Sequence, residues 1–586
     1  MKTTPERMRG QPEVSYAEGD SDWIERLARL QQTASVEAAC TLTYAVARGW
    51  WIGSAIKESA PAAWDIPRLS IAVGRLAPRA MAEAETIGSG LANLPVAIAT
   101  GAIGRLYTRC LPDHLRSTNG VFYTPAPLVE LLLDRAEESG HQWLNSRVID
   151  PSCGAGAFLV EAASRMIDHL HDAEPTLAIN AIGTRLAGWD IDPFAAWLAQ
   201  VAVDIASLPI AKRAGRRLAV ITSARDALVE FADGIGKFDL VIGNPPFGKV
   251  KDSETIRATF GRSLYGHPNL YGLFTDLAVR LAKAKGGRIA YLTPGSFLAG
   301  HYFSKLRELL ISASPPISID FIHSRSDVFE DVLQEVVLST FERGRKSREV
   351  RCRTVAATPG GLKAEMTGDV KVPLGSEPWI LPRTSQDGVL VAKAAAMPNR
   401  LSDWGYKVST GPLVWNRHRS RLHDKPGRGR VPIIWAEAVQ RDGRFSLQWA
   451  RRGHKGWFEP RPQDTSMLVE RPCVLVQRTT SKEQHRRLIS AVLPAALIEK
   501  HGQITIENHL NMVLAISSKP RVPVEAVAQF LASNVADRVL RCINASVAVS
   551  ASELESMPLP TPENLLSALA AKKPEQALER LYGASE

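Results

Sequence analysis

The stretch best able to do chemistry is Phe238-Asp239-Leu240-Val241-Ile242-Gly243-Asn244-Pro245-Pro246-Phe247-Gly248. An apolar run leads straight into Asn-Pro-Pro-Phe-Gly. Two consecutive prolines fix φ and push the residue before them into an extended conformation, so the Asn244 amide projects from the end of a strand. Its side-chain oxygen and the Pro245 carbonyl can then accept hydrogen bonds from a single exocyclic amino group, with Pro246 holding the turn. Held in that way, the amine is drawn out of conjugation with its ring and turns nitrogen lone-pair density toward an electrophile. Phe247 can stack on the planar base. The bland alternative for these residues is a rigid turn after a strand.

A second constellation lies upstream, in Val148-Ile149-Asp150-Pro151-Ser152-Cys153-Gly154-Ala155-Gly156-Ala157. It reads as a strand, a glycine-bearing turn and a helix, a sequence of parts that brings backbone close under a ligand and aims free helical N–H groups at it. A lone G-x-G is also compatible with an ordinary tight turn. A further strand ends in Gly188-Trp189-Asp190-Ile191-Asp192-Pro193, where an acid can accept hydrogen bonds from two ribose hydroxyls. Asp190 is the candidate for that role, and Asp192 the better candidate for capping the helix that follows. The third glycine of a dinucleotide fingerprint is missing, which leaves a small adenosyl ligand.

Together these motifs resemble the gamma class of S-adenosylmethionine-dependent DNA adenine-N6 methyltransferases, the family associated with restriction-modification systems, over about residues 120–341. Their order carries the resemblance: Gly120-Val121-Phe122-Tyr123-Thr124-Pro125, the Asp150–Gly156 loop, Asp190, Asp226, Asn-Pro-Pro-Phe, then a carboxyl-terminal specificity region. The resemblance implies a class I methyltransferase core, a Rossmann-like doubly wound α/β sheet, with S-adenosylmethionine as cofactor. It implies that Tyr123, Thr124 and Pro125 lie against the methionine end of the cofactor. The loop residues Asp150, Pro151, Cys153, Gly154 and Gly156 would line the site with Asn244 and Ile191, Asp190 would hold ribose, and Asp226 would bind the adenine amino group. Ala227 stands where family members often carry an aromatic. Phe329 resembles the aromatic that stacks on the other face of an extruded adenine, and could equally be a core or hairpin residue. Displacement at a sulfonium by a neutral amine needs positioning more than a strong base, so no metal and no catalytic histidine are expected.

The elements that must position these residues follow from pattern. Alternation of apolar runs with helical stretches between Val148 and Phe341 implies a largely parallel sheet covered on both faces, with strands near 147–150, 186–190, 217–222, 238–243, 288–293 and 317–321. The Ala-rich segment before Arg116 reads as amphipathic helices. Three units are expected: a helical region 1–115, the catalytic domain 116–345 and a mixed α/β target-recognition domain 346–586.

Composition bounds the whole. The 586 residues carry 71 Lys+Arg against 61 Asp+Glu, a net charge of +10, with 45% hydrophobic and 23% charged residues, which excludes a largely disordered chain. No run approaches the roughly 18 consecutive apolar residues of a membrane span, so a cytoplasmic protein is expected. The six cysteines have no C-x-x-C spacing, giving little support to zinc or disulfides. The charge concentrates in Arg417, Arg419, Arg421, Arg428 and Arg430, and again in Arg478, Lys482, Arg486 and Arg487, clusters suited to the phosphates of double-stranded DNA. A cognate restriction endonuclease on another chain is a possible partner. Rival readings are an RNA adenine or protein-glutamine methyltransferase, a fused methylase-nuclease, and a specificity subunit with a dead methylase fold.

Overall fold

The computed structural model describes residues 21–29, 35–112, 124–322, 335–358, 361–447, 453–479, 486–543 and 548–584. It divides into two compact units between Gly248 and Lys249.

In the first unit the sheet is built from β1 (Val148–Asp150), β2 (Leu186–Asp190), β3 (Thr222–Ala224) and β4 (Leu240–Gly243). Their spatial order is β3-β2-β1-β4, and β1 runs parallel to both β2 and β4 while β2 runs parallel to β3. The chain therefore winds outward from β1 to β3 and returns to place β4 on the other side of β1. At such a reversal the loops leaving two adjacent strands diverge and open a crevice at their carboxyl ends, which is where parallel sheets bind ligands. Asp150, Asp190 and Gly243 are the last residues of β1, β2 and β4, so all three stand at that crevice.

Helices Ala157–His169, Pro175–Arg185 and Pro193–Ala214 make the crossovers. Pro193–Ala214 is long and apolar enough to cross a membrane, although no run of 18 consecutive apolar residues marks it in the sequence, and nearly all of it is buried inside the unit. Its burial is two-sided. One face covers the sheet, and the other meets the amino-terminal helices Val36–Lys57 and Val96–Cys110. Polar bonds fix that second face: Trp197 Nε1 donates to the Pro67 carbonyl at 2.8 Å, and Arg217 donates to the Asp65 carbonyl at 2.6 Å while its guanidinium lies 4.8 Å from the Trp51 ring centre. Helix Pro78–Leu91 crosses Val36–Lys57 so closely that a Cβ on Gly88 would come within 2.0 Å of the Val46 carbonyl oxygen.

The second unit holds β5 (Arg288–Pro294), β6 (Pro316–Ile322), β7 (Val336–Glu342), β8 (Glu349–Thr358) and β9 (Gly361–Lys371) in the order β5-β7-β6-β8-β9. β7 is antiparallel to both neighbours, β8 is parallel to β6, and β9 closes the edge as a hairpin. The strands thus continue past Arg343, where α/β alternation ends in the sequence. Beyond them stand two four-stranded sheets. One orders β10 (Tyr406–Thr410), β17 (Leu510–Ala515), β14 (Val474–Gln477) and β15 (Ser490–Val492); the other orders β11 (Leu422–His423), β13 (Trp457–Phe458), β12 (Val431–Ile434) and β16 (Thr505–Ile506). One apolar core is shared between them, joining Leu475, Ile489 and Met512 of the first to Ile434 and Ile506 of the second, and another gathers around Ile433, Trp435 and Phe458. All six cysteines are buried and unpaired with one another.

Candidate active site

The glycine loop is stitched to the end of β2. Cys153 N–H donates to the Trp189 carbonyl at 2.9 Å, and Gly154 N–H donates to Asp190 Oδ2 at 2.8 Å. The other Asp190 oxygen accepts from Asp192 N–H at 2.9 Å. Burial pushes Asp190 up to about 6 against the pull of these N–H donors. Gly156 has φ +94°, a left-handed conformation, and a Cβ there would lie 2.8 Å from Ala199 Cα, so the loop reaches the helix start only through glycine. Around Gly154, φ +51°, a Cβ would meet nothing within 4 Å. Ser152 Oγ is buried with no hydrogen-bond partner. The loop therefore offers open space, an unmet hydroxyl and a helix amino terminus, a donor set that fits an adenosyl ligand carrying a carboxylate.

Asp150 is 1% exposed. Its Oδ1 accepts from Ser152 N–H at 3.0 Å, and burial, with Asp190 adding its charge, raises it to about 8. Gly243 passes directly over this carboxyl: at φ +145°, a Cβ would sit 2.7 Å from Asp150 Oδ1. The glycine before Asn244 is thus required by the acid at the end of the neighbouring strand, a pairing invisible in the sequence.

Asn244 follows, half-buried, with Pro245 buried and Pro246, Phe247 and Gly248 partly exposed. Its Nδ2 donates to Thr124 Oγ1 at 3.0 Å, while its Oδ1 is buried with no partner. An unmet buried carbonyl oxygen costs about 1–3 kcal/mol, so the site is built for an incoming donor. Ile191 is 69% exposed beside Asp190, an apolar face at the crevice edge. Asp192 caps helix Pro193–Ala214, accepting from Phe194 N–H at 2.9 Å, and also accepts from the Tyr107 hydroxyl at 2.6 Å. Tyr107, on an amino-terminal helix, is a contributor that spacing along the chain does not reveal.

Asp226 Oδ1 accepts from Leu228 N–H at 2.9 Å, and Ala227 is buried. Arg225 N–H donates to the Asp190 carbonyl at 2.8 Å, which sets Asp226 just past the ends of β2 and β3. Thr124 and Pro125 open helix Ala126–Glu138, with Thr124 5% exposed. Tyr123, Phe329 and Lys482 lie outside the described residues.

The basic clusters of the second unit differ in their surroundings. Arg417, Arg419 and Arg428 are exposed, with the Arg419 guanidinium 5.1 Å from the Trp415 ring centre. Arg421 instead pairs with Asp464 and packs on Phe458, and Arg430 is half-buried beside Glu459. Arg478 is half-buried and donates to the Asn508 carbonyl at 3.3 Å. Arg486 donates to the Ser533 carbonyl at 2.7 Å, and Arg487 is 1% exposed, its N–H on Asp537 Oδ1 at 2.6 Å. Arg421, Arg486 and Arg487 thus sit in more enclosed surroundings than the exposed Arg417, Arg419 and Arg428.

Residues 185–329, which span the acidic strand end and Asn-Pro-Pro-Phe, match the Eco57I restriction-modification methylase family. The chain is thus similar to restriction-modification methyltransferases. It is 26% identical over 481 residues to the Type II methyltransferase M.BsuBI of Bacillus subtilis, covering 77% of this chain and 89% of that protein. Identity to the Type II methyltransferase M.PstI of Providencia stuartii is 27% over 340 residues, 56% of this chain and 66% of the other. Among solved structures, the Type IIL restriction-modification enzyme MmeI in complex with DNA shares the fold, with a TM-score of 0.57 at 13% identity over 96% of each chain.

Proposed function

We propose that this methyltransferase modifies the N6 amino group of an adenine rotated out of duplex DNA at a specific site, as the modification activity of a restriction-modification or related defence system. The observation that carries the reading is the buried, unpartnered Asn244 Oδ1 at the carboxyl end of β4, one residue beyond a glycine pressed against Asp150. S-adenosylmethionine supplies an electrophilic methyl group carried on a sulfonium. Asp190 and the Asp150–Gly156 loop would hold its ribose and methionine ends, with Asp226 at the adenine. Asn244 Oδ1 and the Pro245 carbonyl accept the two amino hydrogens of the target base and turn its nitrogen lone pair toward the methyl. Phe247 stacks on the base. Rotating the base out of the stack costs a few kcal/mol, so the rest of the duplex must be gripped elsewhere.

The exposed Arg417, Arg419 and Arg428 suit that grip. On this reading the chain comprises a helical region 1–115, a catalytic domain 116–345 and a target-recognition domain 346–586, with any endonuclease on a separate chain. The test is transfer of labelled methyl to unmethylated genomic DNA, followed by nucleoside analysis. Wild-type protein is expected to yield N6-methyladenine, and Asn244→Ala to lower transfer by at least about 100-fold while still binding S-adenosylmethionine. Label in RNA or protein alone, or a fully active Asn244→Ala, would overturn the assignment.

A further inference from the structure

We infer that Thr124 sets the direction of the Asn244 amide, and so acts as a positioning residue for methyl transfer rather than only as a wall of the cofactor site. The inference rests on the function proposed above. A carboxamide has two faces of opposite character, and only the orientation with Oδ1 toward the substrate gives the target amine an acceptor. Turned over, Asn244 would present its own NH2 to the amine hydrogens, donor against donor.

Nothing along the chain next to Asn244 decides between the two orientations. The bond from Nδ2 to Thr124 Oγ1, at 3.0 Å, holds the one with Oδ1 free, the hydroxyl acting there as acceptor although it can also donate. It spends the NH2 group on a residue 120 positions away and leaves Oδ1 buried with no partner. Both ends of the bond are stiff. Thr124 precedes Pro125 as Asn244 precedes Pro245, and a following proline confines each backbone to extended conformations. Thr124 is moreover β-branched, which limits χ1, and is 5% exposed. The acceptor is therefore aimed before substrate arrives, which is the condition under which a hydrogen bond lowers a barrier most.

Thr124→Val keeps the shape and deletes the hydroxyl; Thr124→Ala deletes it with less bulk; Thr124→Ser restores it. Single-turnover methyl transfer to unmethylated genomic DNA, calorimetric binding of S-adenosylmethionine and thermal melting are measured for each. The valine and alanine variants are expected to transfer about 10- to 100-fold more slowly at saturating S-adenosylmethionine, with melting unchanged and any loss of cofactor affinity much smaller than the loss of rate, and the serine variant to stay close to wild type. A wild-type rate in both hydroxyl-less variants, a serine variant as slow as valine, or cofactor affinity falling in step with the rate would overturn the inference. A wild-type protein that labels no DNA would instead overturn the functional reading beneath it.

Discussion

The carboxyls that end β1 and β2 raise one another's cost of ionisation. Asp150 and Asp190, raised to about 8 and about 6 by burial, each hold a proton more readily folded than unfolded. The sign follows directly. A carboxyl with a raised folded value contributes stability below its unfolded value, and loses that contribution as pH climbs through the folded one. The protein without cofactor should therefore lose stability between about pH 4 and 8 from these two groups. Ribose hydroxyls donate to carboxylate, so S-adenosylmethionine affinity should rise with pH up to about 6, by as much as about tenfold per unit. Calorimetry from pH 5 to 8 checks this, and Asp190→Asn should flatten the profile. An equally steep rise in the Asn variant would remove Asp190 from the ribose site.

At the scale of elements, the strands were legible where backbone bonds go to other strands, and less so where a side chain intervenes. β2 occupies Leu186–Asp190 as its apolar run indicates, but the run at 217–222 yields a ladder only at Thr222–Ala224. The reason is Gln200, whose Oε1 accepts from Ile221 N–H at 2.8 Å and from Thr222 N–H at 3.3 Å. A side chain from the preceding helix thus takes bonds a strand partner would have made. The amino-terminal helices likewise read correctly as helices, while their grip on helix Pro193–Ala214 did not. Within the amino-terminal helices, Pro78–Leu91 meets Val36–Lys57 at the Gly88 crossing. Gly88→Ala must push two helix backbones apart and is expected to cost about 1–3 kcal/mol, seen in chemical denaturation as a lower midpoint. An unchanged midpoint would mean the crossing relaxes freely.

For the whole molecule, the net charge of +10 does not translate into a uniform DNA-binding face. Replacing Arg417, Arg419 and Arg428 with Ala should weaken duplex binding and reduce the slope of log K against log salt by up to about 0.9 for each phosphate that is no longer neutralised. Arg487→Ala should act differently, lowering the melting temperature by removing a buried guanidinium rather than changing the salt slope. A salt titration of both variants beside wild type decides it. If Arg487→Ala changes the slope and the triple variant does not, the division of labour is wrong.

What the sequence determined by itself was local chemistry: an asparagine locked extended by two prolines, a glycine turn before a helix, acids at strand ends. These are properties of neighbours in the chain, where φ restrictions and side-chain type act within a few residues. Tertiary structure decided what depends on distant residues meeting. The Asn244 amide finds Thr124, Gly243 is pressed against Asp150, and Asp192 meets Tyr107. It also decided which arginines remain outside, because a guanidinium's availability to phosphate depends on the carboxylates and carbonyls folded around it, and spacing along a chain does not encode them.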